Sequence, residues 1–79
     1  MKLHIVSTIE EKTLDVAWFE INTPAGNFVV HRGHAPMIIT LSENQPLTIR
    51  LRSGKEEVIS VQSGVAEINR TESTVILGE

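Results

Sequence analysis

The sequence contains no cysteine, which removes a disulfide framework, a thiolate metal site and a cysteine nucleophile together. It has no basic excess either: seven Lys and Arg stand against ten Asp and Glu, a formal net charge of −3. No surface suited to a phosphate backbone stands out, and nucleic acid is not an expected partner. No apolar run approaches the ~20 residues needed to cross a bilayer, and the start lacks the uninterrupted apolar stretch of a signal peptide. The chain itself is expected to be soluble, with any membrane association made through another protein. A glycine-rich phosphate loop with its lysine is missing, as are a Ser-His-Asp order and a Gly-flanked serine elbow. No small-molecule substrate, cofactor or catalytic residue is therefore expected.

What is present points to strands. Ile, Val and Thr supply 24 of the 79 residues, and β-branched side chains pack well on a pleated surface while losing rotamer freedom in helices. A chain this short is one domain, 1–79, and buries only somewhat more than ~60% of its unfolded surface, so its stability is modest unless a partner adds to it.

Leu3 and Ile5 alternate with Lys2, His4 and Val6, which predicts a strand over 2–7 with one face on a core. Leu47, Ile49 and Leu51 alternate with Thr48, Arg50 and Arg52, and a similar run comes after Ser53-Gly54, so 46–62 reads as a hairpin. Ser63-Gly64 precedes a strand at 65–69, and the polar Asn69-Arg70-Thr71-Glu72 leads to another at 73–77. Two further hairpins are expected there. Pro24, Gly26, Gly33, Pro36 and Pro46 exclude a long helix in the middle, leaving short strands at 27–31 and 37–41. The fold class is all-β: a small two-sheet antiparallel sandwich of about 8–10 short strands. One segment resists: Ser7-Thr8-Ile9-Glu10 has the form of a helix capping box, and Leu14, Ala17, Trp18 and Ile21 recur at helical spacing. Pattern alone leaves helix and strand open over 9–21.

The residues that could carry chemistry have plain alternatives. His31 and His34 are three apart, but a metal site needs further ligands and none is close in sequence; hydrogen-bonding loop histidines are the expectation. His4 reads as a partly exposed strand residue. Glu10-Glu11 and Glu56-Glu57 would point to opposite faces of strands and read as solvated charges. Asn69-Arg70-Thr71 matches a glycosylation acceptor and reads better as a turn.

Gly33-His34-Ala35-Pro36 followed by Met37-Ile38-Ile39-Thr40-Leu41 is the most specific stretch. Together with Met1-Lys2-Leu3-His4-Ile5-Val6-Ser7, Gly26-Asn27-Phe28, Leu47-Thr48-Ile49-Arg50, Ser63-Gly64, Val65-Ala66-Glu67-Ile68-Asn69 and Thr74-Val75-Ile76-Leu77, it resembles the N-terminal β-sandwich domain of the F-type ATP synthase ε subunit. The resemblance implies a non-catalytic rotor subunit of the central stalk. It would join the γ subunit to the membrane c-ring and couple proton or sodium flow to ATP synthesis from the cytoplasmic side of the membrane. It places c-ring contacts on Ala25, Gly26 and Asn27 together with Gly33, His34, Ala35 and Pro36. It also resolves 9–21 in favour of a turn and short strand at 8–13 and a strand at 15–22. Phe19 and Ile21 would then face the core, with Val16 joining them if a bulge falls near Ala17.

The chain departs from the family pattern at Val29, at His31-Arg32 before Gly33, and at Asn27, where an acidic residue is common. Trp18 stands where the family is usually small or polar; facing away from Phe19, it reads either as a subunit-contact anchor or as filler of a second hydrophobic layer. Two C-terminal helices that usually come after the sandwich are not in this sequence, so a naturally short form without the helical brake is expected. A free-standing β-sandwich interaction module with an unrelated partner is the alternative reading, since fold alone does not fix function. A small binding protein using His31 and His34 is a third.

Overall fold

The computed structural model describes residues 1–78. Glu79, the last residue of the expected domain, lies outside the described residues. Eight strands succeed one another along the chain: β1 (Lys2–Val6), β2 (Glu11–Thr23), β3 (Gly26–His31), β4 (Met37–Thr40), β5 (Gln45–Leu51), β6 (Glu56–Val61), β7 (Ser63–Ile68) and β8 (Glu72–Gly78). The described residues contain no helix, hence none long and apolar enough to cross a membrane.

The strands form two layers that share one long member. In sheet I, β4 pairs with β7, β7 with β8, β8 with β1 in parallel, and β1 with residues 11–15 of β2. In sheet II, the later part of β2 pairs with β3 on one side and with β5 on the other, and β5 pairs with β6. The expected short strand at 8–13 and strand at 15–22 are thus one continuous strand that passes from one sheet into the other. The passage is made by a bulge: Val16 sits opposite Leu51 and Trp18 opposite Arg50, leaving Ala17 without a partner on β5. An extra residue there reverses the pleat and bends the strand, so Val16, Phe19 and Ile21 are all buried.

The helical alternative over 9–21 does not form. The capping-box residues keep their local chemistry: Ser7 Oγ accepts hydrogen bonds from the amides of Ile9 (3.4 Å) and Glu10 (3.2 Å), and the Ser7 amide donates to the Glu10 carbonyl at 2.9 Å. Those bonds close the turn between β1 and β2, because the apolar face beyond the turn has a sheet to cover.

The 46–62 hairpin forms with Gln45 opposite Val61 and Arg50 opposite Glu56, and β7 and β8 form the last hairpin, Ile68 opposite Ser73. The other expected hairpin, between β6 and β7, does not exist. Only Gln62 separates these strands, and the chain uses it to leave sheet II for sheet I. Val61 and Leu41 are buried at this end. Gly64 is required just beyond it, since a Cβ there would lie 2.7 Å from the Ile76 carbonyl oxygen.

Between the layers lie Leu3, Ile5, Ala66, Ile68 and Val75 from sheet I and Phe19, Ile21, Val30, Leu47 and Ile49 from sheet II. Burying a Leu, Ile, Val or Phe side chain contributes about 1.5–3 kcal/mol, so this one interior stabilises both sheets at once. The Cα envelope measures 28 × 26 × 17 Å, the shape of two sheets packed about 10 Å apart.

Candidate docking surfaces

The Gly33-His34-Ala35-Pro36 segment joins β3 to β4. The His34 amide donates to the His31 carbonyl at 3.1 Å, closing a tight turn in which Gly33 has φ 89°. That left-handed conformation suits glycine and is closed to β-branched residues; a Cβ would meet nothing there, so the restriction is conformational. The turn rests on the β7–β8 connection. The Gly33 amide donates to the Arg70 carbonyl at 2.6 Å, and Arg70 Nη1 donates back to the Gly33 carbonyl at 3.3 Å. His34 Nδ1 donates to the Ala35 carbonyl at 2.8 Å, the loop role expected of it. Among the described residues no group of three His, Cys, Asp or Glu is placed to hold a metal ion.

Ala25, Gly26 and Asn27 lie on the β2–β3 turn. The Thr23 hydroxyl accepts from the Ala25 amide at 3.1 Å and donates to the Gly26 carbonyl at 2.8 Å, while Asn27 Nδ2 donates to Asn22 Oδ1 at 3.1 Å. This turn and the Gly33 turn flank opposite ends of β3, whose six residues span about 17 Å at ~3.4 Å per step. The seven residues assigned by resemblance are therefore two separate patches. Both are exposed apart from a half-buried His34.

Trp18 does face away from the core. It lies in a row across the outer face of sheet II, with His31 opposite on β3, Arg50 opposite on β5, and Glu56 opposite Arg50 on β6. The Arg50 guanidinium sits 5.7 Å from the centre of the indole, within cation–π range. Its nitrogens also reach Glu56 at 2.8 Å and the Gly54 carbonyl at 3.0 Å. Trp18 is thus half-buried beneath an arginine that is itself held in place. Glu56, read from sequence as a solvated charge, is half of this pair.

The outer face of sheet I was not marked by sequence reasoning. Thr40, Val65, Ile76 and Val6 stand side by side on β4, β7, β8 and β1, with Ile38 two residues from Thr40. Ile38 is 73% exposed, Ile76 53% and Val65 39%. A usable signal existed: Met37-Ile38-Ile39 and Val75-Ile76-Leu77 are apolar at both parities, whereas a strand wetted on one face alternates. On this face His4 contacts Thr13 Oγ1 through Nδ1 at 2.9 Å and Glu72 Oε2 through Nε2 at 3.3 Å.

Comparison with known proteins gives these surfaces a family. No curated sequence matches the chain. Among solved structures, the chain is similar to a subunit of the Euglena gracilis mitochondrial ATP synthase, solved with OSCP, F1 and c-ring, with a TM-score of 0.88 at 25% identity. The match covers 98% of this chain and 49% of the Euglena chain. A chain of the Tetrahymena thermophila mitochondrial ATP synthase central stalk and c-ring has the same fold, with a TM-score of 0.83 at 12% identity, covering 100% of this chain and 63% of that one. The chain therefore spans about half to two-thirds of the solved chains it matches. The family described as ATP synthase, Delta/Epsilon chain, beta-sandwich domain matches residues 1–79, all of the sequence; the chain belongs to the ATP synthase delta/epsilon family as its β-sandwich domain.

Proposed function

We propose that this domain is a non-catalytic part of the central stalk of an F-type ATP synthase. It joins the γ subunit to the membrane c-ring, so that ion flow, of protons or sodium, is coupled to ATP synthesis and the chain reaches the membrane only through the complex. The observation that carries this reading is the family match over residues 1–79, supported by the likeness to a chain of the Euglena enzyme. The physical body suits the task, because torque passes best through a close-packed solid, and here one interior is shared by both sheets. The proposed contacts with c-ring and γ are Ala25, Gly26 and Asn27 at one end of β3 and Gly33, His34, Ala35 and Pro36 at the other, with Trp18 as an anchor on the outer face of sheet II.

Co-expression with the γ subunit of the same complex tests the reading. A stable complex that survives gel filtration is the expected result, and failure to co-purify overturns it. The isolated chain is expected neither to hydrolyse ATP nor to bind it tightly, which calorimetry checks.

A further inference from the structure

We infer that β6, an open edge of sheet II, pairs antiparallel with β6 of a second copy of this chain, so that sheet II continues through a two-fold axis at Val58. The inference makes no use of the stalk function. β6 ends the strand order of its sheet and is hydrogen-bonded on its β5 side alone. The hairpin fixes which of its backbone groups are free. The Leu51 amide donates to the Lys55 carbonyl at 2.8 Å, which makes these two a hydrogen-bonded pair, and in an antiparallel ladder such pairs recur at every second position. Ile49–Glu57, Leu47–Ile59 and Gln45–Val61 are therefore the bonded pairs, and the N–H and C=O groups of Glu56, Val58 and Ser60 point away from β5. Pro46, opposite Ser60, gives the same parity from the other side: its carbonyl is turned towards β2, where Asn22 Nδ2 donates to it at 3.4 Å. A row of unpaired backbone groups is a template for another strand, and β6 has no proline, glycine or bulge to blunt it. The other edges are less suited, since β4 has four residues and comes directly after Pro36, and β3 lies between the two turns proposed to meet the stalk.

The residues of β6 select a second copy and one register. With Val58 opposite its own copy, Glu56 meets the partner's Ser60 and Glu57 the partner's Ile59, so no charge stands directly opposite a like charge. Each Glu56–Ser60 pair and the central Val58 pair exchange both backbone bonds. The Ser60 hydroxyl is then a donor beside the Glu56 carboxylate, and Val58, 63% exposed in the single chain, gains an apolar cross-strand contact. One step towards the turn sets Glu57 against its own copy and two steps set Glu56 against its own, and like charges directly opposite are destabilising. A step the other way draws in Gln62, where the chain leaves for sheet I, and shortens the ladder. In the favoured register the two Glu57 residues remain diagonal neighbours, ~7–8 Å apart, so added salt should strengthen the pairing by screening them. The paired strip is narrower than the ~1,000 Å² of a strong interface, which makes the association weak, with a Kd on the order of 0.1–1 mM.

The test is sedimentation velocity on the isolated chain between roughly 20 μM and 2 mM, a range that brackets that affinity. A monomer should pass into a dimer, at lower concentration as salt rises. Over the same range the amides of residues 56, 58 and 60 should shift and exchange more slowly with solvent. Val58→Pro removes the central donor. Because β5 does not use that N–H, proline is compatible with the edge, and the variant should melt close to wild type and stay monomeric. Val58→Lys keeps the whole backbone and sets two ammonium groups face to face, so it should weaken the dimer by about tenfold or more; it decides the matter if Val58→Pro fails to fold. A wild-type monomer throughout the range overturns the inference. So does a dimer that forms equally well in folded Val58→Lys, one that salt dissolves, or one whose protected amides lie in β3 or in sheet I instead of β6.

Discussion

The outer faces of the two sheets are built on the same pleat and treat their large side chains in opposite ways. On sheet II, Trp18 is covered by Arg50, Arg50 is fixed by Glu56 and Gly54, and Val29 and Val58 are kept apart by Glu20 and Thr48 in the same row. On sheet I, Val6, Ile76 and Val65 stand next to one another across the strands, Ile76 and Val65 exposed and Val6 half-buried. A tryptophan advertises itself in a sequence, but its exposed area here is reduced by its own neighbours. On sheet I, aliphatic residues drawn from four segments, Val6, Ile38, Val65 and Ile76, are brought together instead, three of them exposed. Residue type alone is a poor guide to which face remains available; register decides it.

Both outer faces hang on one interior, and Phe19→Ala tests that shared dependence with the largest effect. Phe19 is fully buried just after the bulge, and removing it should cost about 3–5 kcal/mol of folding free energy, read by denaturant melts. Both faces should be lost in a single cooperative transition. If fluorescence of Trp18 on sheet II and hydrogen exchange in β7 and β8 report separate transitions, the two sheets are not one unit and their faces must be compared as independent bodies.

Trp18→Ala comes next and bears directly on the contrast. The change removes a half-buried indole and its contact with Arg50, so the stability loss should fall short of the ~3–5 kcal/mol of a core aromatic. As an anchor, Trp18 should also carry roughly 2 kcal/mol of subunit association. Thermal melts and affinity for γ measured on the same variant separate the two quantities. A loss of core size with association unchanged would make Trp18 an internal support of sheet II and leave sheet I as the working face.

Gly33→Val sharpens the comparison at the loop that joins the sheets. With φ 89° and open space around the Cβ position, the valine should cost on the order of 1–3 kcal/mol through backbone strain alone. The loss should be accompanied by weaker protection of the residue-33 amide, which in the native chain donates to the Arg70 carbonyl. An unchanged melting temperature would mean that the loop can adopt another shape at no cost.

The range of each interaction determines how much of this was readable in the sequence. Leu3/Ile5 and Leu47/Ile49/Leu51 announce their strands because alternation is local, and Ser53-Gly54 announces its turn for the same reason. The bulge at Ala17 was expected only by setting Val16, Phe19 and Ile21 on one face. Ser7 misled because its bonds to the Ile9 and Glu10 amides are as good in a β-turn as in a helix cap, and tertiary burial decides which of the two the chain enters. The change of sheets at Gln62 leaves no local mark, since one residue serves a hairpin or a crossing equally well. The separation of the Ala25 and Gly33 turns was legible, since the strand expected at 27–31 already lies between them. The Arg50 cover on Trp18 and the row on sheet I join residues from distant segments, one of them through the parallel pairing of β1 with β8.

The smallest expected effect belongs to Glu56→Gln. Its carboxylate meets Arg50 Nη2 at 2.8 Å, but the two side chains are 45% and 39% exposed, so water and salt screen the pair and its contribution should be below about 1 kcal/mol. Arg50 keeps the Gly54 carbonyl and the indole face when the charge is removed. Equilibrium unfolding at low and high salt should therefore show a difference of about a few tenths of a kcal/mol that shrinks as salt rises. Trp18 fluorescence should stay at its wild-type maximum. A red shift of the emission together with a larger loss would mean that Glu56 is what holds Arg50 over the ring, and that the polar finish of sheet II depends on one ion pair. In that case the contrast between the faces would be conditional: neutralising Glu56 would free Trp18 and give sheet II an apolar surface of its own.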